Sequence, residues 1–350
     1  MSDGIEVYAF PAANTAFLHD WWQVALWSRA HIELDTFPSW ETAQRGWTTP
    51  APGRELHFLL ARVDGAAAGA ALLASVGIGN PHLAYLEIYC LPDRRRRGIA
   101  SALLAEAEAL AAGLGRHTLM GEVTTAPGAD GAAASPGLAF VEHHGFARAG
   151  LEEKKSVDLV ATEDLWPTLE AEAAERSAGY ELVWWGEVTP EELVEPICAL
   201  YSRFLAEAPT EDLDLRPEPW DAARVRAEEA RDREIGRRRI LVAARAPDGS
   251  LVGYTEAAHF ESAAHRARIT GTLVLPEHRG HALGLALKVR LHRLLREQWP
   301  DCLTLLTGNA GVNAHMNAVN ERLGYRVVEV AHDVQKVLPQ SEPARTGSPT

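Results

Sequence analysis

The sequence predicts an α/β fold with a mixed sheet, built from two copies of one structural unit. The string LPDRRRRGIASALL starts at Leu91, and the related string LPEHRGHALGLALK starts at Leu275. A glycine followed by an aromatic residue then recurs downstream of each, at Gly145 and at Gly324. Both features repeat at nearly the same offset, which indicates an internal duplication.

The surroundings of the two strings predict the same order of elements in each copy. The apolar runs LAYLEIYCL and ARITGTLVL precede the strings and have strand character. A helical pattern follows, over Ser101–Leu114 in the first copy and up to Pro300 in the second. A further strand then starts at Thr118 and at Leu303. A strand, a helix and a second strand in this order predict a parallel strand pair in each copy.

The chain has 350 residues, of which 47% are hydrophobic, enough for two cores. We expect an N-terminal domain over 1–160 and a C-terminal domain over 180–338. The stretch 161–179 is rich in Glu and Ala and predicts a connecting helix that ends at Gly179. The segment 339–350 is polar and rich in Pro and Ser, which predicts a disordered tail.

Composition excludes several classes of partner. A formal net charge of -14 argues against nucleic acid, and no run approaches the ~20 apolar residues of a membrane helix. The cysteines Cys90, Cys198 and Cys302 are too few and scattered for a disulfide framework or a metal site. We therefore expect a cytoplasmic protein without a metal that acts on a small molecule, as a monomer or a homodimer.

The junction that begins at Arg95 has the composition of a phosphate-binding loop. In the string RRRGIA, Gly98 and Ala100 permit close approach of the backbone at a helix start, and the arginines add positive charge. A basic helix start on the surface would have the same composition. The residues alone leave both interpretations open.

Arg95, Gly98 and Ala100 match the cofactor-loop signature of the GNAT superfamily, and the resemblance covers nearly the whole chain. Asn313 and the ending Leu-Gly-Tyr at Gly324 match the later family pattern. The doubled arrangement resembles mycothiol synthase and the tandem GNAT proteins of actinobacterial biosynthetic gene clusters. The resemblance implies two tandem GNAT domains and a cofactor that is acetyl-CoA or another acyl-CoA.

The resemblance also implies where the cofactor binds. Backbone groups at the end of the fourth strand would hold the pantetheine arm and the thioester oxygen, and the loop and first helical turn would hold the pyrophosphate. The predicted cofactor-binding residues are Ile88, Tyr89, Cys90, Arg95, Arg96, Arg97, Gly98, Ile99, Ala100 and Ser101.

The second copy departs from the family pattern, because Ala282 stands where the first glycine is expected. An added methyl there either blocks or displaces a phosphate, so a second cofactor site is an open alternative. The second copy also has a polar cluster that would either bind a polar ligand or cap the strand and loop around it; the cluster contains Asn309, Asn313 and Asn320. In the first copy Ala134 replaces the late asparagine. The possible second site comprises Thr272, Leu273, Val274, Arg279, Gly280, Gly284, Asn309, Asn313 and Asn320.

Acyl transfer to an amine needs a base, and the resemblance points to a glutamate on the fourth strand. Glu87 has that place, although a charged residue between Leu86 and Ile88 that only faces solvent from a half-buried strand would give the same pattern. Many family members protonate the leaving thiolate with a tyrosine, but Val141 and Asn320 stand at the two corresponding positions. Transfer without full protonation of the thiolate is compatible with that loss.

We therefore expect an N-acyltransferase that moves an acetyl group from acetyl-CoA to a primary amine by direct attack, with the cofactor in the N-terminal domain and Glu87 as base. Two alternatives stay open. One is a GNAT pair that binds acyl-CoA or a metabolite without catalysis, and the other is catalysis in the C-terminal domain.

Overall fold

The chain alternates strands and helices in two similar series. The computed structural model describes residues 4–29, 37–129 and 135–339. The first series contains β1 (Ile5–Phe10), α1 (Thr15–Ser28), α2 (Trp40–Thr48), β2 (Arg54–Val63), β3 (Ala66–Val76), β4 (Leu83–Cys90), α3 (Ile99–Gly113), β5 (Thr118–Thr125), α4 (Pro136–His143) and β6 (Ala147–Asp158). The second contains α5 (Trp166–Arg176), β7 (Glu181–Trp185), α6 (Glu191–Glu207), α7 (Ala222–Glu234), β8 (Arg237–Arg245), β9 (Leu251–Phe260), β10 (Arg266–Val274), α8 (Leu283–Gln298), β11 (Thr304–Ala310), α9 (Ala314–Arg322) and β12 (Arg326–Val337).

All twelve strands of the described ranges form one mixed sheet. Their order is β1-β2-β3-β4-β5-β12-β6-β11-β10-β9-β8-β7. β4 is parallel to β5 and β10 is parallel to β11, so both predicted parallel pairs are confirmed. The remaining neighbours are antiparallel, which makes the α/β fold with a mixed sheet the observed architecture.

In the first half of the sheet, successive side chains of a strand point to opposite faces, and each face has its own hydrophobic core. In β2, Leu59 and Ala61 pack towards α3, whereas Phe58 and Leu60 pack towards α1. The indole of Trp21 in α1 is fully buried there. This period of two is what a strand covered on both faces requires.

The second half repeats this layering. In β8, Ile240 and Val242 pack against α5 and α8, while Leu241 and Ala243 pack against α6 on the opposite face. We call the face with α1 and α6 the front face, and the face with α3 and α8 the back face.

The two halves exchange their last strands at the centre of the sheet. β12, from the second series, lies between β5 and β6 of the first, and β6 pairs in turn with β11 of the second. Val334 and Leu338 therefore belong to the core beneath α3, and Val157 and Leu159 belong to the core beneath α8. Each hydrophobic core is completed by residues from the other half.

The segment between the series contains helix α5, inside the predicted stretch 161–179, and Gly179 follows it with a φ of 92°. The sheet runs through both 1–160 and 180–338, so that division of the chain remains a prediction. Residues 340–350 of the predicted tail lie outside the described residues. Among the described helices, none combines the length and the apolar character needed to cross a membrane.

The strand exchange predicts that a change near the end of β12 weakens the first half. Leu338 is 5% exposed and packs beneath α3, so Leu338→Ala should lower the free energy of unfolding by about 2–5 kcal/mol. Hydrogen exchange should show faster opening of the β5 amides. The neighbouring Val337→Ala is the control, because Val337 is 68% exposed. Faster exchange confined to β7–β10 would contradict the assignment.

Candidate active site

The parallel strands β4 and β5 separate part-way along their length. Their pairing ends at Tyr85 opposite Met120, although β4 continues to Cys90 and β5 continues to Thr125. From Glu87 onwards, β4 pairs only with β3. Backbone donors and acceptors on one edge of β4 are therefore left for another extended group, which is what binding by strand addition requires.

The predicted cofactor loop connects this splayed strand to α3. Arg96 and Gly98 have φ angles of 62° and 83°, and Gly98 is the residue that precedes the first helical turn. The guanidinium of Arg95 is turned inwards, with Nε donating to the carbonyl of Cys90 at 3.3 Å. Arg96 and Arg97 are exposed. Arg95 thus holds the loop against the strand, while the other two cations face solvent.

The loop leaves room for an anion at the start of α3. The first backbone hydrogen bond that returns to the loop runs from Ala102 to Gly98, so it uses none of the N–H groups of Ile99, Ala100 and Ser101. A Cβ placed on Gly98 would meet only Ile5, at 3.8 Å. Free N–H groups at a helix start, with arginines beside them, fit the pyrophosphate of an acyl-CoA.

Glu87 lies on the front face at the splay and is exposed. The hydroxyl of Tyr89 donates to Oε2 of Glu87 at 2.6 Å. Burial, and then the charge of Glu87, raises the pKa of Tyr89 well above its ordinary value, so the phenol stays protonated and acts as a donor. The alternating partners Ile88 and Cys90 pack on the back face. A carboxylate that is held in place and open to solvent suits a base that works through water.

His144 contacts the first turn of α3. Its Nε2 lies 3.0 Å from Oγ of Ser101, and its ring stacks near Phe140. Burial lowers the pKa of His144, so the neutral ring is favoured. This contact joins the end of α4 to α3, so sequence reasoning did not find it. Ala134, the other departure noted in this half, lies outside the described residues.

The second loop has the same backbone conformation as the first, with its glycine at a different place. Gly280 and Ala282 have φ angles of 89° and 54°, and Ala282 directly precedes α8. Nε of Arg279 donates to the carbonyl of Val274 at 3.2 Å, as Arg95 does in the first copy. Ala282 therefore adopts the left-handed conformation that glycine provides in the first loop, and the loop shape is retained.

The parallel pair of the second half also splays. Pairing of β10 with β11 ends at Arg268 opposite Leu306. Gly271 of β10 has the position that Glu87 has in β4. Glu256, which lies opposite Gly271 on the neighbouring strand β9, supplies a carboxylate at this splay. Sequence reasoning missed Glu256, for which the signal was one acidic residue within the apolar strand GYTEAAHF.

Glu256 is buried and fully engaged. It accepts hydrogen bonds from Tyr201 at 2.8 Å and from Thr270 at 2.6 Å, and the Arg239 guanidinium lies 3.8 Å away. Each half therefore has a tyrosine that donates to a glutamate at its splay. The carboxylate of the second half is the less available one, because two donors and a cation already occupy it.

The remaining residues of the possible second site have structural partners. Leu273 and Val274 pack into the cores, Gly284 is buried in α8, and Oγ1 of Thr272 lies 2.8 Å from that of Thr255. Asn313 precedes α9 and caps it through the Met316 amide at 3.2 Å, so it does not share a helix face with the later asparagines.

Asn320 belongs to a buried polar chain behind the second splay. Nζ of Lys288 donates to Oδ1 of Asn320 at 2.6 Å, and Nδ2 of Asn320 donates to Oδ1 of Asn309 at 2.5 Å. Lys288 has no exposed surface. Burial, assisted by the charge of Lys155, lowers the pKa of Lys288 to about 7. Asn309 is thus positioned at the open edge of β11 by a lysine from α8.

Comparison with known proteins assigns the family. The sequence model of the Acetyltransferase (GNAT) family matches residues 16–146 and again 200–325, which together cover more than half of the chain. The chain belongs to the GNAT acetyltransferase family. The match occurs twice, so this GNAT protein has the tandem architecture that the repeat indicates.

Solved structures agree with this assignment. A tandem GNAT protein from the clavulanic acid biosynthesis pathway superposes with a TM-score of 0.77 at 26% identity, over 97% of this chain and 100% of that one. A GCN5-related N-acetyltransferase from Sphaerobacter thermophilus has a TM-score of 0.66 at 17% identity, over 98% and 99% of the two chains. A search among curated proteins finds no match. The chain is thus an acyltransferase of a family that generally uses acetyl-CoA.

The buried lysine predicts a pH dependence of stability. The folded pKa of Lys288 is below the unfolded value of about 10.4, so its contribution to stability is complete above that value and is lost as pH falls towards 7. Lys288→Met should remove this dependence and raise stability at pH 7, by about 1.4 kcal/mol for each unit of pKa lowering. Denaturant unfolding of both proteins at pH 7 and pH 10 tests it. Equal pH dependence in the two would contradict the assignment.

Proposed function

We propose that the protein transfers an acetyl group from acetyl-CoA to a primary amine of a small molecule, with catalysis in the first half. The observation that carries the proposal is the combination found there: a splayed strand, an open glycine loop and an available carboxylate on the front face. The described residues contain no group of His, Cys, Asp and Glu arranged to hold a metal ion.

The proposed reaction is direct. The thioester carbonyl would lie against the free edge of β4, where the N–H groups of Ile88 and Cys90, which do not face β3, stabilise its developing negative charge. The amine nitrogen bonds to the carbonyl carbon, the carbon–sulfur bond breaks, and CoA leaves as a thiolate. Glu87 accepts the proton of the amine, directly or through one water. Tyr89 orients the Glu87 carboxylate by its hydrogen bond.

A second candidate, catalysis in the second half, is favoured by two observations. The loop from Arg279 to Ala282 has the conformation of the first loop, and Glu256 lies beside the second splay. Glu256 is nevertheless buried and bound by Tyr201 and Thr270. We therefore assign the base to Glu87 and propose the second half as a supporting domain.

The assignment predicts loss of cofactor binding when Gly98 is replaced. Gly98→Val places a β-branched residue at a φ of 83°, which distorts the loop and should weaken acetyl-CoA binding at least tenfold by calorimetric titration. Gly115→Val is a matched control, because Gly115 has a φ of 70° and open space around it at the far end of α3.

The same titration with Gly284→Val separates the two halves. One binding site that is lost with Gly98→Val and kept with Gly284→Val supports the first half. Two sites in the wild-type protein, or one site that depends on Gly284, would place cofactor in the second half.

Removal of the proposed base should lower turnover and leave cofactor binding intact. Glu87→Gln keeps the hydrogen bond acceptor for Tyr89 but cannot take a proton, so kcat should fall by about 10²–10⁴-fold with any accepted amine. Glu256→Gln serves as the comparison in the second half. A larger loss in that variant than in Glu87→Gln would transfer the role of base to Glu256.

A further inference from the structure

The centre of the front face bears a row of carboxylates that the proposed reaction does not use. Glu122 of β5 stands opposite Asp333 of β12, and on the same face β12 and β6 contribute Glu329 and Glu152. We call these four residues the acidic seam. They come from three strands that are neighbours only because the two halves exchange strands.

Two glycines make space for these carboxylates. A Cβ on Gly308 of β11 would overlap Oε1 of Glu152, and a Cβ on Gly150 would stand 3.1 Å from Oδ2 of Asp333. Both side chains therefore lie over bare backbone, close to the sheet. The carboxylates are built into the surface of the fold, unlike freely solvated surface charges.

A cavity of about 140 Å³ opens over the part of the seam that contains Glu152 and Asp333. Its floor includes Gly150, Glu152 and Asp333, and its wall includes Glu211 and Leu213. The volume is roughly ten times the ~10–15 Å³ that one water needs, so a small organic group fits.

The wall belongs to residues 208–221, which connect α6 to α7 and cross the front face; we call them the strap. The strap is fixed at both sides of the cavity. The Asp212 amide donates to the carbonyl of Ala149 at 2.9 Å, and Nε2 of Gln335 donates to the carbonyl of Asp212 at 2.8 Å. Beyond the cavity, Nε2 of His82 lies 3.0 Å from the Asp214 carboxylate.

Three of the four seam carboxylates have no direct cationic partner in the described part of the chain. Lys154 pairs with Glu122, and the Leu151 amide donates to Glu211. No hydrogen bond or ion pair to Glu152 or Asp333 is formed by the described residues. Glu329 is 9% exposed, and its Oε1 is buried without a hydrogen-bond partner there. A buried carboxylate oxygen without a hydrogen bond is costly. The charges of Lys154, Arg29 and Arg268 oppose the rise that burial causes in the pKa of Glu329, but none of these cations forms an ion pair with it in the described part of the chain.

The electrostatics of the seam agree with this. Burial, followed by the charges of Glu122 and Glu152, raises the pKa of Asp333 to about 6, against the lowering effect of Lys154. Burial and then Glu122 also raise the pKa of Glu152. A bound cation would stabilise both ionised carboxylates.

The shape of the site selects the kind of cation. The described residues do not converge as three or more acidic or His and Cys ligands around one point, which argues against a metal ion. An ammonium or guanidinium group instead donates several hydrogen bonds over a wider area, as separated carboxylates require.

We propose that the acidic seam and its cavity bind a small organic cation that carries an ammonium or guanidinium group. Only the role of this ligand rests on the proposed function: the bound cation would be the charged end of the amine acceptor. Met120 is the last residue of β5 that pairs with β4, and Glu122 of the seam follows it two residues later on the same strand. The seam thus adjoins the splay, and an acceptor with a second cationic group would span the two.

Calorimetric titration of 1,4-diaminobutane into the full chain without acetyl-CoA tests the site. We expect one site that butane-1,4-diol does not occupy, and at least tenfold weaker binding in Asp333→Asn and Glu152→Gln. Glu175→Gln, at an exposed position of α5, is the matched charge control. Because both seam variants relieve crowding of carboxylates, their thermal midpoints should not fall. Equal binding of diamine and diol, or unchanged affinity in both seam variants, would overturn the proposal.

The pH dependence provides a second readout. Asp333 faces Glu122 from β5, Glu152 and Lys154 from β6, and Glu211 from the strap. Diamine affinity should rise between pH 5 and pH 7.5 as the Asp333 carboxyl ionises, and Asp333→Asn should flatten this rise. Acetyl-CoA titration of the same variants separates the two proposals. Diamine binding without acetyl-CoA binding would contradict the proposed function alone, and the reverse would overturn the cation site alone.

Discussion

The insertion of β12 between β5 and β6 is the constraint on which the rest of the structure depends. Two GNAT units could each close their own sheet, but here each receives its final core residues from the other. The exchange joins twelve strands into one sheet. It also creates the acidic seam, whose four carboxylates belong to no single half. The fold and the proposed cation site thus have the same origin.

Much of the fold followed from local pattern, because strand and helix periodicity is visible in short windows. The strand from Thr118, the helix after Leu91 and both parallel pairs were predicted in this way. The strand exchange was not. β6 and β12 have the same alternation whichever neighbour they pair with, so sequence periodicity carries no information about the partner. Glu256 was missed for a similar reason, since only its register opposite Gly271 reveals that it lies at a splay.

The two loops show how limited a motif is as a description of conformation. By sequence, Ala282 breaks the glycine pattern of the second copy. In the structure, each loop has two residues in the left-handed conformation, at equivalent positions. In the first loop these are Arg96 and then Gly98, and in the second loop they are Gly280 and then Ala282. Each loop therefore has one non-glycine residue in a conformation that costs on the order of 1 kcal/mol. The backbone shape is shared, and the difference between the halves lies in the carboxylates at the splays.

The exchanged strand also determines the order in which the protein can form during synthesis. Domains usually fold as they leave the ribosome, from the N-terminal end. Here β5 and β6 are complete early, but the strand that separates them ends only at Val337. Until then the edges of β5 and β6 that β12 will occupy have no native partner, and exposed edges of this kind pair readily with other chains. The nascent protein must therefore keep a central gap open from the completion of β6 at Asp158 until β12 ends at Val337, which is about half of its translation.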